Sequence, residues 1–270
     1  MSALLLGAVA YDPKVVTIWD GFRGWFGARG FDFDYVLYSN YERQVQDLVD
    51  GRIDVAWNSP LAWIRTARMA PGAQAVAMRD TDRDLTSVVV VRSDSPARTV
   101  ADLAGGTVGT GAVDSPQATL LPLRLLAGVD VTVRRFEVGV GLHGDHIGGE
   151  RDAATALRDG AVDAACMIDG NHLLFAKEGL LPAGSTRVIA QTRPYDHCNM
   201  SVVGADVDQF VALLLGMDYA DAEVRPLLDL EGLTRWLPGR LEGYAPLAEA
   251  VDATAFYGPH GEVTAAGYRP

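Results

Sequence analysis

Short apolar runs alternate with longer stretches of helical spacing along most of this chain. LLLGAVA, DYVLYS, DVAWNS, AVAMRD and TSVVVVR have the length and apolar content of buried strands. Between the first two lies PKVVTIWDGFRGWFGARG, where Val15, Ile18, Trp19, Phe22, Trp25 and Phe26 fall on one side of a helix and predict a buried stripe. This order predicts an α/β protein with a mainly parallel sheet. The polar run RSDSPART then breaks the pattern, and Ser93, Asp94, Ser95 and Pro96 are read as a hinge crossing. A second series follows: TVADLAG, TVGTGAV, a helix opening at Ser115, the strand VTVRRFEV, a helix through ATALRDG, the strand AACMID and TRVIAQT. RPYDHCN punctuates again, and the tail from about Val207 reads as mostly helical. These breaks place residues 1–92 with 197–270 in one lobe and residues 93–196 in the other.

An internal echo supports two similar lobes. Residues 48–57 read LVDGRIDVAW and residues 157–166 read LRDGAVDAAC, so a helix end, a Gly stop and a buried strand occur once in each half. Two α/β lobes joined by short crossings imply a cleft between them, with ligands at the carboxyl ends of the strands.

Composition narrows the partners. The formal charge of −12 is not interrupted by any Lys/Arg-rich run, which excludes the footprint of a nucleic-acid binder. It leaves anionic ligands open, because backbone N–H groups at helix starts attract anions locally. No apolar segment approaches the ~18 residues of a membrane span. The opening MSALLLGAVAYDP has no Lys or Arg ahead of its apolar stretch and reads as a first strand rather than a secretory signal. That points to the cytoplasm, or to an extracytoplasmic site if a leader has been removed. Cys166 and Cys198 are the only cysteines and form no CxxC pair, so a disulfide framework is not expected.

Three stretches carry a family resemblance: SNYERQVQDLVDGRIDVAWNSPLAW, SDSPARTVADLAGGTVGTGAVDSPQATLLP and ERDAATALRDGAVDAACMID. Together they resemble the type 2 periplasmic-binding-protein fold, in its phosphate/phosphonate-binding branch of ABC-transporter receptors. The likeness runs to about residue 205. It implies two Rossmann-like lobes with a hinge and an interlobe cleft that closes on an oxyanion. It also implies a permease partner and a Ser/Thr-rich turn at a helix start that holds the anion. The matching turn is AVDSPQATLLP, where Ser115 is a good N-cap and Pro116 a good first residue. Asp114, Ser115, Gln117 and Thr119 are its candidate contacts. Its hydroxyl count is low for the family, which favours a carboxylate or a larger, less charged ligand.

Strand ends supply the other candidates. Tyr11 follows the first strand and either covers a ligand with its ring or packs in the core. Asn58 and Ser59 follow a buried strand and precede Pro60. Ser39 and Glu42 have capping-box spacing ahead of a helix that begins near Tyr41. The echo sets Glu150 opposite Tyr41, which brings the loop LHGDHIGGE to the mouth of the second lobe. In that loop His143, Asp145, His146 and Glu150 offer donors that zinc or ferrous iron accept. A metal site, a ligand clamp and a solvated loop all stay open there. No cofactor is expected, and a divalent metal at that loop stays an open alternative. Asp169 ends a strand and either meets a ligand cation or caps a helix. His197 and Cys198 are adjacent on an extended segment and are expected to point apart, leaving His197 to face the loop histidines or His172.

The first functional reading is a solute-binding protein that closes on a small anionic or zwitterionic organic molecule without chemistry. The second is a cytoplasmic enzyme on the same scaffold. The fold is similar to that of thiamin-pyrimidine synthases, menaquinone-pathway enzymes and a desulfinase, and the His, Asp, Glu and Cys residues would supply the chemistry.

Overall fold

A computed structural model describes residues 3–138 and 146–269. The first lobe opens with β1 (Leu4–Val9), α1 (Lys14–Gly27), β2 (Phe33–Tyr38), α2 (Tyr41–Val49), β3 (Val55–Asn58), α3 (Pro60–Met69) and β4 (Gln74–Arg79). The second holds β5 (Ser87–Arg92), β6 (Thr107–Thr110), a π-helical turn (Pro116–Leu120) running into α4 (Leu121–Leu125), and β7 (Thr132–Arg135). It continues with α5 (Ile147–Arg158), β8 (Ala164–Ile168), α6 (Asp169–Lys177) and β9 (Thr186–Gln191). The chain then returns to the first lobe through β10 (Asn199–Val202), α7 (Asp208–Leu215), α8 (Arg225–Glu231) and β11 (Trp236–Pro238), and ends with α9 (Ala245–Thr254).

The two sheets are ordered β11-β4-β10-β3-β1-β2 and β7-β6-β8-β5-β9. Leaving β11 aside, they share one plan, in which the fourth resident strand is separated from the third by a visitor from the other lobe. The visitors β5 and β10 run antiparallel to both neighbours, while β1, β2 and β3, like β6, β7 and β8, pair in parallel. The expectation of a mainly parallel sheet is corrected accordingly. A chain leaving one sheet at its carboxyl edge enters the facing sheet at that sheet's carboxyl edge, and must run against the residents.

The same pairing moves the first boundary. β5 belongs to the second sheet, so the outgoing crossing occupies residues 80–86, not 93–96. Ser87 to Val91 are all buried, as in a central strand of either sheet, and such a run does not say which sheet it joins. The return crossing lies between β9 and β10.

The echoed segments occupy equivalent places. Gly51 and Gly160 end α2 and α5 with φ of 69° and 73°, a conformation glycine adopts without strain. Three residues later, Asp54 Oδ2 accepts from Leu5 N on β1 and Asp163 Oδ2 from Thr107 N on β6, each at 2.8 Å. One carboxylate in each lobe thus fastens the third strand's entry to the first strand.

The α1 stripe is buried as its spacing predicts, with Val15, Ile18, Trp19, Phe22, Trp25 and Phe26 all inside. Phe22 is fully buried and meets Trp19, Phe26 and Trp236 at centroid distances of 5.4, 6.4 and 6.2 Å. α8 packs against α1 at Gly21, where a Cβ would lie 2.5 Å from Leu227 Cδ2 and oblige that side chain to shift. Phe22→Ala should lower the unfolding free energy by ~3–5 kcal/mol. Val16→Ala, on the exposed face of the same helix, should stay within ~0.5 kcal/mol in denaturant titrations.

Candidate functional site

The two crossings run side by side and form the floor between the lobes. Leu85 and Tyr195 exchange backbone hydrogen bonds at 2.8 Å in both directions, and His197 N donates to Asp82 O at 2.8 Å. Asp196 is fully buried; it accepts two 2.6 Å bonds from Arg240 and one of 3.2 Å from Asp84 N. Asp84 itself turns the chain at φ 55°, in the left-handed region.

Two adjoining cavities open above this floor, and His197 lines both. The larger, about 440 Å³, has Tyr11, Asp12, Lys14, Arg79 and Asp82 on the first-lobe side and Gln117, Ile147, Ile168 and Asn171 on the second. The smaller, about 30 Å³, has room for about two waters. The N-terminal ends of α2, α3 and the π-helical turn meet there, and its lining includes Tyr41, Ser59, Asp114 and His146. The tail closes it: the Tyr257 and Tyr268 hydroxyls donate to Glu42 Oε1 at 3.2 and 3.0 Å.

Several expected contacts serve the fold instead. Asn58 is fully buried, accepting from Gln44 and donating to Thr66 and Ser201, and lines neither cavity. Ser115 is a buried cap whose Oγ accepts from Ala118 N at 3.2 Å, and Thr119 Oγ1 donates to Ala112 O at 2.8 Å. Of the AVDSPQATLLP turn, only Asp114, Pro116 and Gln117 line a cavity. Asp169 accepts from Thr86 Oγ1 and Gly170 N, both at 2.7 Å, and faces neither cavity. Asn40, not Ser39, caps α2, its side chain accepting from Arg43 N at 2.9 Å; Glu42 is thereby left to bind the tail phenols.

Glu150 lies behind the larger cavity. Its Oε2 accepts from Ile168 N and Asn171 Nδ2, both at 2.9 Å, and it is hydrogen-bonded to the Gln117 side chain, so it orients two of the amides in the wall. Burial pushes its pKa up to about 7 against these opposing bonds. Of the loop's candidate metal donors, the structure describes only His146 and Glu150. Glu150 is engaged as above, His146 Nδ1 lies 4.0 Å from Asp114 Oδ1, and His143 and Asp145 fall outside the described residues.

A different group of donors comes together at the floor. His197 Nδ1 lies 3.1 Å from Cys198 Sγ and 3.5 Å from Asp82 Oδ1. The expectation that His197 and Cys198 point apart is corrected. Both precede β10, outside any regular strand, and the ring folds back along the chain onto the next side chain. His172 instead meets Thr186 Oγ1 at 2.9 Å. Arg79 grips Asp82 with two bonds, of 2.6 and 3.0 Å, and stands 5.2 Å from the Trp57 ring centroid. Burial alone would raise the Asp82 pKa, but Arg79 and His197 outweigh it and hold the carboxyl at about 2. A Cys–His–Asp relay needs the acid on one ring nitrogen and the thiol on the other, and here the same nitrogen faces both. Cys166 lies in the second-lobe core, where burial pushes its pKa up to about 12.

Sequence reasoning missed Asp12, Lys14, Arg79, Asp82 and Asn171. All follow or end a strand, so the strand-end rule would have found them had it been extended past β1, β4 and β8.

Glu150 gives a pH test. Its folded pKa lies above the ordinary 4.5, so the folded state binds the extra proton and wild-type stability falls as pH rises from about 4.5 to about 7. Glu150→Gln should remove that fall. Its stability relative to wild type should therefore increase across this window by ~3 kcal/mol, read by denaturant titration at each pH.

No curated protein matches the sequence. Solved structures share its fold. PhnD1 from Prochlorococcus marinus in complex with methylphosphonate is 17% identical with a TM-score of 0.66, covering 93% of this chain and 98% of that one. A Xanthomonas citri protein bound to ATP is 18% identical with a TM-score of 0.69, covering 94% and 98%. The periplasmic aliphatic sulphonate binding protein SsuA from Escherichia coli is 16% identical with a TM-score of 0.57, covering 100% and 95%. Residues 10–244 match the family described as ABC transporter, phosphonate, periplasmic substrate-binding protein, and the chain belongs to that family.

Proposed function

We propose that the protein captures a small organic anion or zwitterion in the larger cleft and delivers it to an ABC-transporter permease. The observation that carries this reading is a cavity of about 440 Å³ walled by both lobes at the carboxyl ends of their strands. Its polar lining suits a ligand with one charged end. Lys14 supplies a cation, Gln117 and Asn171 supply amides, and Leu85, Ile147 and Ile168 suit a short apolar body. The neighbours bound to methylphosphonate or named for aliphatic sulphonates support an oxyanion of that kind. With Ser115 and Thr119 turned inward, Lys14 and the two amides carry the anion here in place of a hydroxyl run.

The family's periplasmic description favours a site outside the cytoplasmic membrane over the cytoplasmic one expected from the N-terminus. No described helix is long and apolar enough to cross a membrane.

Thermal melting against methylphosphonate, alkylsulfonates, phosphate and short carboxylates tests the reading. A true ligand at a hundred times its Kd should add ~2.7 kcal/mol of stability. Lys14→Gln and Asn171→Ala should each weaken it by about 5- to 10-fold, the scale of one hydrogen bond or ion pair. If no organic anion shifts the melt, or if both variants bind as the wild type does, the assignment of this cleft is wrong.

A further inference from the structure

Three chemically different donors meet where the crossings lie side by side. Asp82 comes from the outgoing segment, His197 and Cys198 from the returning one, and one donor atom from each falls within 4.8 Å of the others. The backbone bond from His197 N to Asp82 O fixes their register, so the group is assembled by the fold and not by chance approach of long side chains. We propose that this is a metal site of the zinc class, with Asp82 Oδ1, His197 Nδ1 and Cys198 Sγ as ligands and a fourth position open to the larger cleft.

The geometry fits. Zinc bonds of ~2.0 Å to nitrogen and oxygen and ~2.3 Å to sulfur set tetrahedral ligand pairs roughly 3.3–3.6 Å apart. The present 3.1 Å N···S and 3.5 Å N···O separations need only a few tenths of an ångström of adjustment, and the carboxylate and thiol, within 4.8 Å of each other, close on the ion by at most about an ångström more. The donors select the metal: thiolate with imidazole suits zinc, cobalt(II) or iron(II), and not magnesium or calcium.

Arg79 is the evident objection, since its two bonds already engage both Asp82 oxygens. A carboxylate has about four lone-pair positions, so Oδ1 can accept from Arg79 and bind a metal together. Arg79 then holds the ligand carboxylate in orientation, as partners of metal ligands commonly do. The charges also balance. Asp82 and a Cys198 thiolate offset a divalent ion, and Glu231, whose Oε1 lies 3.5 Å from Arg79 Nη1, offsets the guanidinium.

Asp82 and His197 line the larger cleft and Cys198 does not, so the open face of the metal is turned to the ligand space. There an oxyanion completes the coordination. This last step rests on the proposed function; the metal site itself does not.

Chelator-stripped full-length protein titrated with cobalt(II) is the test. One equivalent should produce a thiolate-to-cobalt charge-transfer absorption with tetrahedral bands in the visible, and zinc should bleach both. Cys198→Ser should abolish the charge-transfer absorption and His197→Ala should weaken binding at least 10-fold, each with folding verified by melting. Cys166→Ser should leave the spectrum unchanged. Absence of the thiolate absorption in wild type, or its survival in Cys198→Ser, overturns the site. Methylphosphonate added to the cobalt form should alter the visible bands. Calorimetric binding of methylphosphonate without that change overturns the open position alone. A cobalt site in a protein that binds no organic anion overturns only the proposed function.

Discussion

The pair of backbone hydrogen bonds between Leu85 and Tyr195 joins the outgoing crossing to the returning one, and the rest of the molecule is arranged around that joint. It sets Asp82 against His197 at the floor of the cleft and brings Asp84 and Asp196 to a single cation, Arg240. A carboxylate as buried as Asp196 would be strongly destabilising without such a partner. Arg240 arrives after β11, so closing this joint requires the chain to finish both lobes and come back.

Each lobe lends the other one strand. Because β5 sits in the second sheet and β10 in the first, neither lobe has a continuous sheet of its own residents. The exchange makes the lobes interdependent in folding while the chain itself passes between them in two narrow crossings. It also puts all resident strand ends toward one another, which is why polar side chains at those ends converge.

Much of the plan was legible in the sequence because it is written in local periodicity. The α1 stripe from Val15 to Phe26 depends on helical spacing alone, and the echoed LVDGRIDVAW and LRDGAVDAAC depend on a Gly stop and an Asp–strand junction that recur unchanged. Long-range matters were less legible. The run of valines in β5 suits the interior of either sheet, so its partner could not be read. Asn58 looked like a cleft residue because it ends a strand, but its side chain satisfies Gln44, Thr66 and Ser201 from three other elements. The closeness of His197 to Cys198 was hidden by assuming strand geometry two residues ahead of β10. Tyr257 and Tyr268 lie in a tail with no motif, and only the folded chain brings them to Glu42.

α9 lies across the seam between the lobes. Its buried Leu247, Ala250 and Val251 share one apolar cluster with Leu61 and Trp63 of α3 and with Leu120 and Leu121 at the start of α4. The lobes therefore do not swing on two bare strands. Parting them means sliding this helix off one neighbour and wetting leucine surface at about 25 cal/mol per Å². The contacts that hold the lobes together therefore include apolar ones that no molecule in the larger cleft would touch.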